Sequence, residues 1–148
     1  MTLLPAPQAA PVMPRTNADA PYSLKGKKFL GRRLSVMVVF ATECKPCVES
    51  IPFYKRLTEL PVLDGKERKL IIFSQGGVWP VRDIIQAHPQ KFEHNTISFP
   101  TTRRFDIKGV PTVLLINAAG DRIGEWPGKL SPAQEQRVIA AITAAAKR

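Results

Sequence analysis

The sequence predicts an α/β domain with a central mixed β-sheet and helices on both faces. Three observations carry this. Short apolar runs of strand length, rich in Val, Ile and Leu, occur at 34–41, 69–74 and 109–117. Segments with apolar residues at helical spacing lie between these runs and after the last one. The early strand–helix–strand order requires parallel neighbours, whereas a turn at 117–120 followed by residues 121–126 supplies an antiparallel one.

The 148 residues suit one domain with room for a core, and no apolar run approaches the length of a membrane span. With 22 Lys and Arg against 12 Asp and Glu, the net charge is +10, which favours acidic partners or an anionic surface without identifying one. Residues 1–21 carry Pro5, Pro7, Pro11, Pro14 and Pro21 among alanines, the composition of an extended linker. They lack the basic start and apolar centre of a signal peptide. A linker at 1–21 and a domain at 22–148 are therefore expected. Lys25, Lys27, Lys28, Arg32 and Arg33 read as a solvated lead-in to the first strand. No aromatic ladder accompanies them, so nucleic acid is not an expected partner.

The first strand, 34–41, runs through Thr42 and Glu43 into Cys44-Lys45-Pro46-Cys47, and a helix is expected over 45–60 with Phe53, Leu57 and Leu60 on its inner face. Pro52 should kink that helix. A second strand covers 69–74. Gly76-Gly77 forms a loop, and without a following Gly-Lys-Ser/Thr it is not a phosphate loop. Pro80 opens a helix with Val81, Ile84 and Ile85 on one face, and His88 extends that stripe as a packed residue. Residues 89–108 read as irregular and polar, with one short helix near 102–105. The strand at 109–117 is entered through Pro111 and pairs with 121–126. Ser131-Pro132-Ala133-Gln134 forms a capping box that opens the last helix, with Val138, Ile139 and Ile142 inward.

Cys44 and Cys47 are the only cysteines. Placed at random they would fall three apart about one time in 75, so the spacing calls for a chemical reason. They sit where a strand hands over to a helix. Unpaired N–H groups at a helix start favour a thiolate, the reactive form of cysteine, at Cys44, and Cys47 lies one turn on, within reach. Redox cycling is the leading reading: Cys44 attacks a partner disulfide and Cys47 resolves the mixed disulfide. Inert buried thiols are one alternative. A metal site is another, but only His88 and His94 could complete it, and their spacing fits zinc poorly. Neither a metal nor a cofactor is expected.

With these residues in hand, the chain resembles the thioredoxin fold over about residues 24–148. The resemblance rests on the apolar strand running into Cys44-Lys45-Pro46-Cys47, on Pro52 five residues past the second cysteine, and on Gly109-Val110-Pro111-Thr112, which is similar to the family's cis-proline loop beside the active site. Pro111 follows Cys47 by 64 positions, a longer interval than in plain thioredoxins. This interval, with Ala41-Thr42, Cys-x-Pro-Cys and 116–120, resembles the exported, membrane-tethered TlpA-type branch, whose members include reductants for cytochrome c maturation. The sequence departs from the family at three places. Glu43 replaces the usual tryptophan, Val38 stands where thioredoxins bury an acid, and Ser50, beside Glu49, stands where TlpA-type reductases often carry glutamate.

The resemblance implies a protein-disulfide reductase type of thiol–disulfide oxidoreductase. Cys44 and Cys47 would be catalytic. Glu43, Lys45 and Pro46 would tune the pair, Glu43 disfavouring the thiolate by like charge and Lys45 opposing it. Val110 and Pro111, with a cis bond between them, would border the partner groove. Proline at position 46 resembles the reductant side of the family. The implied partners are a disulfide- or dithiol-bearing protein and an upstream electron donor. A monomer is expected, periplasmic or tethered to a membrane and facing the periplasm, with the cytoplasm as the alternative. Rival functions are a copper or zinc chaperone and a non-catalytic thioredoxin-like interaction module. A peroxidase fits poorly, because Ala41 stands where its hydroxyl residue belongs.

Residues 1–20 cannot bury enough apolar surface to offset the entropy of ordering them. Their deletion should leave the melting temperature within a few degrees of the full chain; a larger drop would mean that the segment docks on the domain.

Overall fold

The computed structural model describes residues 30–76, 81–87 and 92–147. The expected linker at 1–21, Lys25, Lys27, Lys28, Gly77, Pro80 and His88 lie outside the described residues. In chain order the elements are β1 (Leu34–Ala41), α1 (Lys45–Glu49), α2 (Ile51–Thr58), β2 (Arg68–Gln75), α3 (Arg82–Ala87), β3 (Phe92–Thr96), α4 (Phe99–Arg104), β4 (Thr112–Asn117), β5 (Arg122–Pro127) and α5 (Pro132–Ala146). The strands form a five-stranded mixed sheet in the order β3-β2-β1-β4-β5.

β1 is the central strand. It runs parallel to β2, with Val38 opposite Ile72, and antiparallel to β4, with Val38 opposite Val113. Seven of its eight residues are buried. A strand covered on both faces cannot alternate apolar with polar residues, which is why its sequence reads as an unbroken apolar run. Its side chains still divide by the two-residue period. Leu34, Val36, Val38 and Phe40 enter one core with Cys47, Phe53, Tyr54, Leu57, Val81, Ile84, Trp126, Val138 and Ile142. Met37 and Val39 enter the other with Ile71, Phe73, Ile97, Ile107, Leu114 and Ile116. Helices α1, α2, α3 and α5 thus serve one face, and α4 with its flanking segments serves the other. No helix among the described residues is long and apolar enough to cross a membrane.

Two expectations need correction. The helix expected over 45–60 is two helices, broken at Ser50. The Ser50 N–H bonds back to the Pro46 and Cys47 carbonyls at 3.1 Å, closing α1, while its own carbonyl accepts from Phe53 at 3.0 Å and Tyr54 at 3.1 Å, opening α2. Pro52 has no N–H to continue the first ladder and falls in the first turn of the second, where none is needed. The stretch at 89–108 is also less irregular than its polarity suggests. Phe92–Thr96 pairs parallel to β2, with Ile72 opposite His94, and α4 starts at Phe99, earlier than expected. β3 escapes a pattern search because Phe-Glu-His-Asn-Thr is a short edge strand with polar residues in the middle.

The closing hairpin and the last helix follow expectation. The Ser131 side chain accepts from Gln134 N–H at 3.2 Å, and the Gln134 side chain accepts from Ser131 N–H at 2.8 Å, completing the capping box. Within β5, Gly124 lies against the ring of Trp126, which is 1% exposed. A Cβ on Gly124 would meet Trp126 Cζ3 at 2.7 Å, closer than van der Waals contact allows. Gly124→Ala should therefore lower stability by about 1–3 kcal/mol, seen as a lower urea midpoint with little change in slope. An unchanged midpoint would show that the indole moves aside freely.

Candidate active site

The site lies at the carboxyl end of β1, where the chain crosses from one side of that strand to the other, the place where open α/β sheets build their clefts. After Ala41 the chain leaves the sheet. Thr42 N–H still bonds to the Gln75 carbonyl at 3.1 Å. Cys44 then takes an extended backbone, φ −140° and ψ 107°, and caps α1. Its Sγ accepts a hydrogen bond from the Cys47 N–H at 3.2 Å, the interaction that favours a thiolate there. The two cysteines are joined as a disulfide, with their Cα atoms 5.2 Å apart. Their environments differ sharply. Cys44 is half-buried at the surface, whereas Cys47 is 0% exposed and belongs to the core.

Around the pair, Glu43, Lys45 and Pro46 are all exposed. The Pro46 carbonyl accepts the Ser50 hydroxyl at 2.7 Å, tying α1 down at its end. Opposite, the Val110–Pro111 bond is cis, as the sequence suggested. The Val110 carbonyl oxygen lies 3.9 Å from Cys44 Sγ, close enough to accept weakly from a thiol there once the disulfide is open. This loop is held on both sides. Thr112 Oγ1 donates to the Gly109 carbonyl at 2.7 Å, and Gly128 N–H donates to the Pro111 carbonyl at 2.7 Å. Cys44, Cys47, Val110 and Pro111 thus converge from two segments far apart in sequence.

Beneath Cys47 there is no carboxylate among the described core residues. Val38 is 0% exposed and apolar, and Ser50, at 7% exposed, spends its hydroxyl on the Pro46 carbonyl. Glu49 instead pairs with Lys129 at 3.2 Å on the surface. Tyr54, one helical turn past Ser50, is a further polar side chain buried in this core. Burial pushes its phenol well above the usual tyrosine range, against a smaller opposing effect of Ser50, so it stays neutral. No group of three or more His, Cys, Asp or Glu side chains gathers among the described residues.

Sequence reasoning missed the ground beside Val110. A cavity of about 300 Å³ is lined by Gln75, Thr102, Arg103, Ile107, Lys108, Gly109 and Val110. Gln75 ends β2 directly opposite Ala41 of β1, which brings it to the same sheet edge as the cysteines. It is only 5% exposed, and its Nε2 donates to Thr102 Oγ1 at 2.8 Å. The register that puts Gln75 here is a tertiary fact, and no spacing in the chain announces it.

No model of a protein family matches the chain, and no curated protein matches it. Solved structures do. The crystal structure of a Chlorobium tepidum protein described as the thiol:disulfide interchange protein DsbE is 20% identical, with a TM-score of 0.63 over 84% of this chain and 92% of that one. MTB DsbF, captured in mixed oxidised and reduced forms, is 16% identical, with a TM-score of 0.58 over 84% of this chain and 94% of that one. A secreted Mycobacterium tuberculosis disulfide oxidoreductase homologous to E. coli DsbE is 11% identical, with a TM-score of 0.55 over 78% of this chain and 84% of that one. The strand order, the cysteine pair at the end of β1 and the cis-proline loop facing it agree with those likenesses: the chain has the thioredoxin-like fold, and its structural neighbours are thiol:disulfide interchange proteins.

Proposed function

We propose that this protein is a thiol–disulfide oxidoreductase acting on partner-protein disulfides outside the cytoplasm. The observation that carries the reading is the asymmetry of the pair: Cys44 at the surface and Cys47 sealed in the core, joined across one turn of helix beside Val110 and Pro111. In the reductive direction Cys44 acts as the thiolate. It attacks one sulfur of the partner disulfide; a bond to Cys44 forms, the partner's S–S bond breaks, and the second partner sulfur leaves as a thiolate that takes up a proton. Cys47 then gives up its proton and attacks Cys44 Sγ, releasing the first partner sulfur and leaving the Cys44–Cys47 disulfide. Two electrons have passed to the partner, and an upstream dithiol donor restores the pair. Glu43, Lys45 and Pro46 set the potential from the rim, and Val110 and Pro111 border the groove that receives the partner.

The reductant direction is favoured by Pro46 between the cysteines. With no acid at Val38 or Ser50, the proton of Cys47 passes to solvent, which should slow the resolving step rather than abolish it. The secreted and interchange-type neighbours support an extracytoplasmic setting. A role as reductant in cytochrome c maturation is the finer form of the same proposal.

Three measurements test it. Sub-stoichiometric iodoacetamide on the reduced protein at neutral pH should label Cys44, and labelling of Cys47 first would reverse the roles. Cys44→Ser should abolish reduction of insulin disulfides, and Cys47→Ser should accumulate the mixed disulfide. The equilibrium potential should lie near the value of about −270 mV known for thioredoxin; one near about −120 mV, as in a strong oxidant, would overturn the reductant direction.

A further inference from the structure

Beyond the cysteines, the cavity beside Val110 has its own chemistry. Val110 is one of its lining residues, and the Val110 carbonyl lies 3.9 Å from Cys44 Sγ, so the cavity and the reacting sulfur share a neighbour. Its rim carries Arg103 and Lys108, both exposed, and neither forms an ion pair with a described residue. Between 102 and 110 the chain has three cations, Arg103, Arg104 and Lys108, against one acid, Asp106.

The wall of the cavity is polar as well. Thr102 Oγ1 donates to the Ser98 carbonyl at 2.9 Å, so it must accept from Gln75 Nε2 at 2.8 Å. That chain of bonds fixes the Gln75 amide with Oε1 as its free end. This oxygen is buried and has no hydrogen-bond donor among the described residues. Two exposed cations on the rim of a polar-walled cavity suit an occupant that brings a carboxylate.

From this arrangement we infer that the cavity is a specificity subsite for an acidic peptide segment, one that carries Asp or Glu within a residue or two of the cysteine delivered to Cys44. A peptide meets this demand, because an Asp or Glu side chain offers the carboxylate to Arg103 and Lys108. The inference rests on the thiol–disulfide reading above and adds the substrate class to it. Charges at an exposed rim act chiefly on encounter and are screened by salt, so selectivity should appear in the second-order rate and fade as salt rises.

The experiment uses the full reduced chain and three short peptides, each with one cysteine capped as a mixed disulfide with thionitrobenzoate, whose release is coloured. The cysteine is flanked by Glu, Gln or Lys. Each rate is divided by the rate with dithiothreitol, which removes the peptide's own reactivity. The Glu peptide should react about three- to tenfold faster than the Gln peptide, and the Lys peptide more slowly. Arg103→Gln with Lys108→Gln should level the three rates while leaving iodoacetamide labelling of Cys44 unchanged. Arg32→Gln with Arg33→Gln removes the same charge at the far end of β1 and should keep the preference.

Equal rates in the native protein would overturn the subsite. So would a preference that survives the Arg103 and Lys108 changes, or one lost equally with the Arg32 and Arg33 pair, since net charge would then be its source. Oxidised glutathione is the second arm. If it alone depends on Arg103 and Lys108, the occupant is a small anionic thiol and the peptide assignment fails. Should Cys44 exchange with none of these disulfides, the oxidoreductase reading falls and the subsite with it; exchange without charge preference sinks the subsite alone.

Discussion

The ladder between β1 and β4 is the constraint on which the site depends. Val39 lies opposite Thr112, so the residues just beyond β1 and just before β4 must meet at one end of the sheet. Those residues are Cys44 on one side and Val110–Pro111 on the other. A one-residue slip in this pairing would turn every side chain of β1 to the wrong face, so burial on both faces holds the register firmly. Neither the thiols nor the proline loop could reach the other by local structure alone.

The same burial produces the difference between the two cysteines. Cys44 sits at the cap, where the chain is still leaving the sheet, and Cys47 sits one turn on, where α1 meets the core built by Val38, Phe40 and Tyr54. One sulfur of the pair is thus left half-buried at the surface while the other is sealed in the core. The break at Ser50 keeps α1 short. It lets the first turn point its N–H groups at Cys44 while α2 follows its own axis to pack Phe53, Tyr54 and Leu57.

Charge is distributed in keeping with this division. The core beneath Cys47 is apolar or neutral, and the ionised groups near the site stand at its rim: Glu43, Lys45, and the cations of the neighbouring cavity. Buried groups tune an equilibrium strongly because solvent does not screen them, whereas rim charges mostly guide encounter.

Much of this was legible in the chain itself. β1, β2 and β4 are long apolar runs because they are covered on two faces, and the capping box of α5 and the turn before β5 are local signals with local causes. Cys44 and Cys47 could be singled out because their chemistry is tied to a fixed short spacing, and Pro111 because Gly109-Val110-Pro111-Thr112 resembles a known loop. Tertiary structure decided the rest. β3 exists because β2 offers it an open edge, not because Phe92–Thr96 has a strand pattern. The break at Ser50 needed both the proline at 52 and the packing of two helix axes. The cavity joins Gln75, Thr102, Arg103 and Lys108 from the end of a strand, a short helix and a loop. Periodicity and spacing report what neighbours along the chain can do, and these contacts arise only once distant segments share a surface.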